Sequence, residues 1–225
     1  MSSKKLCLIG ANSDLGSAIA KVSSKLSDIK VYGISRNSLG GGYEKILVVN
    51  DYETSEMEIK EFVKDNNISD IIILNGFIGK KNQPVEKIVK INFSIPINLI
   101  KCIDSSGNGE ITYMIISSLA ASRPRKKNYV YGLSKYILEQ SIRSRKSGKF
   151  IIFRSGFIRT KMTKDHKIPP FSRNPEDIAK KILNIILSNK KELSIKYSSF
   201  EIMLLFYLFK LIPLSLLNAI EKRML

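Results

Sequence analysis

Leu6-Cys-Leu-Ile-Gly-Ala-Asn-Ser-Asp-Leu-Gly16 is a short apolar run that breaks into a polar turn bounded by two glycines. Leu6 to Ile9 reads as a buried strand, and a helix from about Leu15 to Leu26 opens directly behind the turn. In this context residues with little side-chain bulk let a dinucleotide pyrophosphate approach the positive end of a helix. Gly10, Asn12, Ser13, Asp14, Leu15 and Gly16 are therefore candidate cofactor-binding residues. The same stretch also reads as a plain strand-to-helix turn, capped by Asn12, Ser13 or Asp14.

Further along, strands and helices alternate. Ile29 to Ile34 is a second strand ending in Ser35-Arg36-Asn37. An enzyme selecting NAD carries Asp or Glu at the end of this strand to hold the ribose 2′-hydroxyl. Here Arg36 stands in place to pair with a 2′-phosphate, so NADP (NADPH) is the expected cofactor; the plainer reading is an exposed loop arginine. Ile46 to Val49 is a third strand, followed by Asp51 as either an acceptor for an adenine amine or the cap of a helix over 52–66. Ile71 to Leu74 leads to Asn75-Gly76, where the glycine lets the chain turn beside the cofactor. Gln83 to Ile103 reads as a long helix interrupted by Pro96. Asn92 on it is a helix-internal hydrogen-bonder or the anchor of a water. Lys149 to Arg154 is a sixth strand, Asn174-Pro-Glu-Asp177 opens another helix, and Lys191 to Tyr197 is a last strand. The alternation predicts an α/β fold: a single doubly wound parallel sheet with helices on both faces.

Between the fourth and sixth strands lies the stretch that carries chemistry. Ile111 to Ile116 is a buried strand ending on Ser117-Ser118, and a helix from Asn128 onward places Tyr131 and Lys135 at i and i+4 on one face. Lys135 stays positive and favours the phenolate, so Tyr131 is expected to lose its proton more readily than a free tyrosine. Ser118, thirteen residues before Tyr131, can hold a carbonyl oxygen while the tyrosine protonates it. In a chain with nine tyrosines the bland reading is a solvated helical face. Against it, the serine pair at a strand end and the N-terminal glycine turn are independent requirements of hydride transfer from a nicotinamide to a carbonyl.

At 225 residues the chain suits one α/β domain with a full core. Lys and Arg number 37 against 20 Asp and Glu, a net charge of +17 that favours anionic partners: nucleotide phosphates, nucleic acid or an anionic membrane. The basic run Arg123-Pro-Arg-Lys-Lys127 has no aromatic platform beside it, which favours a solvated loop at the pocket rim over nucleic acid. Cys7 and Cys102 lie in apolar segments and read as core residues. The single histidine, His166, excludes multi-histidine metal sites and disfavours a Ser-His-Asp hydrolase. The apolar run before Gly10 is too short for a signal peptide, so a cytoplasmic protein is expected.

Ile202 to Leu217 holds thirteen apolar residues of sixteen, broken by Lys210, Pro213 and Ser215. A membrane span needs about twenty. The run therefore reads as a core or subunit-contact helix, or as a segment in the membrane interface with Lys210, Lys222 and Arg223 toward anionic head groups.

Taken together, Gly10 to Gly16, Asn75-Gly76, Asn92, Ser118, Tyr131, Lys135 and the turn Gly156 to Thr160 resemble the short-chain dehydrogenase/reductase family over nearly the whole length. The resemblance implies a Rossmann-type domain over 1–198, with 199–225 as an apolar helical extension. It implies that Ser118 positions the carbonyl and Tyr131 is the general acid/base. Lys135 would lower the tyrosine pKa and hold the nicotinamide ribose, and Asn92 would support a proton relay. Gly156, Ile158 and Thr160, with Tyr131 and Lys135, would also touch the cofactor. Three positions depart from the family pattern: Asp14 for the middle glycine, Leu74 for asparagine and Ser155 for proline. Ser117 to Gly132, Arg154 to Thr163 and the apolar C-terminus are similar to the reductases of decaprenylphosphoryl 2-keto-ribose. That implies a keto-sugar substrate, polyprenyl-phosphate linked, met at the membrane by a peripheral enzyme of cell-envelope polysaccharide synthesis; a reductase of a soluble keto or acyl substrate and a non-catalytic NADP-binding regulatory module are the alternatives. Family members are commonly homo-oligomers.

Overall fold

The computed structural model describes residues 3–38, 40–79, 83–105, 110–188 and 191–217. Among these, seven strands form one sheet: β1 (Lys4–Ile9), β2 (Ile29–Ser35), β3 (Lys45–Val48), β4 (Asp70–Ile73), β5 (Thr112–Ser118), β6 (Lys149–Ser155) and β7 (Leu193–Tyr197). Their order is β3-β2-β1-β4-β5-β6-β7, and every neighbouring pair is parallel. The central strands are runs of Ile, Leu and Phe buried on both sides, so helices must cover both faces. On one face α1 (Asp14–Ser23) packs beside α6 (Pro175–Ser188), joining Leu8, Ile19, Met114 and Ile182 in one apolar layer. On the other, α2 (Glu56–Asp65), α4 (Ile95–Asp104) and α5 (Tyr129–Arg143) join Ile59, Leu99, Tyr113 and Leu138 in a second.

Strand order reverses between β1 and β4, and the crevice outside their carboxyl ends is where such sheets bind ligands. Gly10, Arg36, Asn75, Ser118 and Gly156 all end or follow their strands at this edge. The fold thus gathers most of the predicted site residues before any side chain is considered.

Several predicted boundaries move for local reasons. α1 ends at Ser23, three residues short of Leu26. The helix predicted over 52–66 begins only at Glu56, because Asp51 Oδ1 accepts the Glu53 N–H at 2.9 Å and holds Tyr52–Ser55 in tight turns. Pro96 has no N–H to return to the Asn92 carbonyl. The chain accordingly runs as α3 (Val85–Val89), a π-turn over Lys90–Ser94, and then α4.

The C-terminal run forms α7 (Phe200–Leu211), capped by Ser199, whose Oγ accepts the Ile202 N–H at 3.4 Å. It lies against β7 and the 3₁₀ turn Leu119–Ser122 that follows β5. The Arg123 guanidinium donates to the carbonyls of Lys210 at 3.1 Å and Ile212 at 2.7 Å, closing the helix's C-terminal end. Arg125 stacks 5.0 Å above the Phe209 ring. This corrects the reading of 123–127 as a solvated rim: two of its arginines anchor α7. The side chain of Lys127, and Lys222 and Arg223 with the rest of 218–225, lie outside the described residues. Cys7 is a buried free thiol as predicted, whereas Cys102 is only half-buried, between α4 and the start of α2 near the Glu56 carbonyl. Among the described residues no helix is long and apolar enough to cross a membrane.

Candidate active site

Ser118 ends β5 and caps the 3₁₀ turn, its Oγ accepting the Ala120 N–H at 3.2 Å. α5 can cross this turn closely only because Gly132 lacks a side chain: a Cβ there would lie 2.8 Å from the Ala120 carbonyl oxygen. The approach brings the Tyr131 phenol within hydrogen-bond reach of the Ser118 hydroxyl. One helical turn on, Lys135 is buried at 3% exposure and its Nζ donates to the Asn75 carbonyl at 3.3 Å. Ser118 and Tyr131 therefore meet, and Lys135, at i+4 from Tyr131 on the same helix, reaches the strand end that carries Asn75-Gly76.

Electrostatics in this pocket corrects one expectation. Burial pushes the Tyr131 phenol up from its ordinary value, and the Ser118 hydrogen bond pulls it only partly back. Dehydration wins over the acidifying effect predicted from the spacing alone. Burial also brings Lys135 down to about 8, opposed by the Glu139 carboxylate. Below that pH Lys135 keeps its charge. The sign of the pH dependence follows. Activity that needs the Lys135 cation is full below about 8 and falls as pH rises through it. Stability runs the other way: between about 8 and 10.5 the unfolded chain keeps a proton that the folded chain has released, so folding gains as pH rises. The basic limb of kcat/KM and urea midpoints across that window check the two halves separately.

Behind Lys135 lies a buried charged cluster that the sequence alone does not announce. Glu139, one turn further along α5 and 1% exposed, accepts from Ser117 Oγ at 2.5 Å. It also accepts from Arg154 Nε at 3.1 Å and from Nη2. Arg154 in turn donates to the Tyr197 phenol at 2.6 Å and lies 3.8 Å over the Phe206 ring. The legible signals were an acid at i+4 from Lys135 and an arginine inside an apolar strand.

The glycine turn is built as a cradle. Gly10 has φ +86°, and its N–H and that of Ala11 donate to the Ile34 carbonyl at 3.0 and 3.1 Å, which holds the turn against the end of β2. Ser13 caps α1 by accepting the Gly16 N–H at 3.0 Å. A Cβ on Gly16 would fall 2.5 Å from the Ala11 carbonyl oxygen, so only glycine fits. Asn12 is exposed in the turn and Leu15 points into the core. Arg36 is exposed and lies 5.9 Å above the Tyr52 ring. Two tyrosines that went unassigned brace the cradle. Tyr43 donates to the Ala11 carbonyl at 3.1 Å, and the Tyr52 phenol reaches the Gly10 backbone. Burial pushes both phenols up to about 12.

The remaining candidates serve the frame. Asn92 is fully buried. Its Oδ1 accepts the Phe77 N–H at 3.0 Å, and its Nδ2 donates to the carbonyls of Phe77 at 2.7 Å and Ile88 at 2.9 Å. The amide thus pins the chain just beyond Gly76. Asp51 is engaged with the Glu53 backbone. Gly156 donates to Ser198 Oγ at 3.2 Å, Ile158 pairs with Arg173, and Thr160 takes part in a capping box with Thr163. Asp14 accepts the Lys161 N–H, which ties this loop to the first turn of α1. Among the described residues no cluster of His, Cys, Asp or Glu can hold a metal ion.

These residues fit a dinucleotide. The backbone is bare at the N-terminus of α1, a basic side chain closes the outer end, and Asn75 Oδ1 is buried without a protein partner beside the turn. Asp14 is the one discordant charge, and it is turned toward Lys161, with its Oδ1 3.9 Å from the ammonium.

No protein-family model matches the sequence, and no curated protein matches it. Solved structures do. A short-chain dehydrogenase from Burkholderia cenocepacia, in complex with NADP, superposes with a TM-score of 0.75 at 15% identity, covering 94% of this chain and 99% of its own. The aldohexose dehydrogenase of Thermoplasma acidophilum gives 0.68 at 16%, covering 87% and 92%. An alcohol dehydrogenase of Thermococcus sibiricus complexed with 5-hydroxy-NADP gives 0.68 at 15%, covering 86% and 96%. At these identities the likeness establishes that the chain has the fold of the short-chain dehydrogenases.

Proposed function

We propose that the chain is an NADP-dependent short-chain reductase acting on a keto group of a sugar. The observation that carries this reading is the Tyr131 phenol on the Ser118 hydroxyl, with Lys135 one helical turn on reaching Asn75 beside the glycine cradle. NADPH, when bound, supplies the hydride that reduces the carbonyl carbon. The Ser118 hydroxyl holds the carbonyl oxygen, the Tyr131 phenol gives that oxygen its proton, and the Lys135 ammonium stabilises the phenolate left behind. Asn92 keeps the Phe77 backbone in place beneath. Gly10 to Gly16 would take the pyrophosphate at the α1 N-terminus, and Arg36 the 2′-phosphate. The similar structures solved in complex with NADP and 5-hydroxy-NADP support that cofactor.

Arg36→Ala is expected to weaken NADPH binding about 10- to 100-fold while NADH binding stays within a few-fold, because a charge-assisted phosphate contact contributes about 1.5–3 kcal/mol. Fluorescence titration with both nucleotides checks it. Equal losses for the two would remove Arg36 from the phosphate site.

The substrate we favour is a polyprenyl-phosphate-linked keto-sugar at the inner face of the membrane, in cell-envelope polysaccharide synthesis. The similarity over Ser117 to Gly132 and Arg154 to Thr163, the net charge of +17 and the apolar α7 support this. The exposed stripe Tyr129, Leu133 and Tyr136 on α5 supports self-association. A soluble keto-sugar is the second reading, favoured by the aldohexose dehydrogenase among the neighbours. The test is NADPH consumption with a polyprenyl-phosphoryl 2-keto-pentose beside soluble keto-sugars. Faster turnover of the lipid-linked ketone is expected. Turnover of soluble ketones alone would overturn the lipid-linked assignment, and none at all, with NADPH bound, would overturn the reductase reading.

A further inference from the structure

α7 is apolar on two opposite faces. Ile202 and Phe206 turn inward, over Gly156 and against Tyr197 and the Arg154 guanidinium. The outer stripe is Phe200, Leu204, Tyr207, Leu208 and Leu211, spaced i, i+4, i+7, i+8 and i+11, with exposures between 44% and 80%. Large apolar side chains scattered singly on a surface are ordinary; five on one stripe of one helix form a patch that a monomer rarely leaves open. Leu214 and Leu216 beyond the helix are exposed as well.

The border of this patch is cationic. Arg123 closes the C-terminal end of α7, and Lys210 stands exposed in its last turn. At the other end Lys181 donates to the Ser198 carbonyl at 3.1 Å, and Arg173 stands 3.8 Å from Glu201, the one acid in the helix. An apolar stripe edged by cations is the chemistry of a helix lying in the head-group plane of an anionic bilayer. A second copy of the chain is a poorer occupant, since a two-fold interface would set this cationic border against itself.

We propose that the outer face of α7 docks on an anionic lipid bilayer. The inference rests on the helix surface and its charged border, and it deepens the reductase reading by placing the site. α7 packs on the turn that follows Ser118 and over Gly156, so a docked helix holds the mouth of the catalytic pocket at head-group level.

The test is co-sedimentation of the full chain with phosphatidylglycerol and with phosphatidylcholine vesicles, beside Leu204→Gln/Leu208→Gln, with circular dichroism melts and light scattering on both proteins. The wild type is expected to pellet with the anionic vesicles and not with the zwitterionic ones. The double variant should bind about 10- to 100-fold more weakly with an unchanged melt, as two apolar side chains are withdrawn from the interface. Absence of vesicle binding, equal binding by the variant, or a variant that changes only the oligomer mass overturns the proposal. No turnover is read, so the outcome is separate from the fate of the reductase assignment.

Discussion

Replacing Glu139 by alanine is expected to lower folding stability by about 3–5 kcal/mol, a large share of the roughly 5–15 kcal/mol that holds a domain together. The carboxylate is buried against Arg154, itself 3% exposed, and the guanidinium has no route to water once its partner is gone. Ser117 Oγ also loses its acceptor. Urea unfolding should show the loss as a lower midpoint at unchanged slope. Replacing the pair together, Glu139→Leu with Arg154→Met, should recover most of it, because two apolar groups of similar size leave no stranded charge. A single variant as stable as the wild type would show that the ion pair does not hold the core. The milder Glu139→Gln carries a second expectation: the carboxylate is what opposes the burial effect on Lys135, so its loss should move the basic limb of kcat/KM to lower pH.

Tyr131→Phe is expected to lower turnover by about 10²–10⁴-fold, the range that a positioned proton donor contributes. The ring and the packing of α5 on the turn after Ser118 are kept, so NADPH binding and the melting temperature should be nearly unchanged. That pattern separates lost chemistry from lost folding. Wild-type turnover in the variant would contradict the role given to the phenol. Ser118→Ala should be the gentler change, since the donor remains and only the grip on the carbonyl oxygen weakens.

The fold was legible because each buried parallel strand is a near-continuous apolar run closed by a polar or glycine turn, as in Leu6 to Gly16 and Ile71 to Gly76. Topology then carries strand ends to one edge, so residues over a hundred positions apart, such as Gly10 and Ser118, arrive together without any local signal of their meeting. The 131/135 pair needed only helical spacing, and the helix is there. Three things were not readable, each for a physical reason. The direction of the Tyr131 shift depends on burial, which spacing does not report. Glu139 and Arg154 sit on different elements, α5 and β6, and their pairing appears only once α5 lies over the sheet. Arg123 and Arg125 look like a charged loop until α7 presents carbonyls and a ring for them to hold.

Hydride transfer from NADPH to a carbonyl in this pocket can be followed directly with an isotope. The most direct measurement is the product mass after reaction of a polyprenyl-phosphoryl 2-keto-pentose and of soluble keto-sugars with NADPH deuterated at the transferring carbon. A single deuterium is expected on the new carbinol carbon, formed by the wild type and not by Tyr131→Phe. Product without label, or the same labelled yield from both proteins, would contradict it.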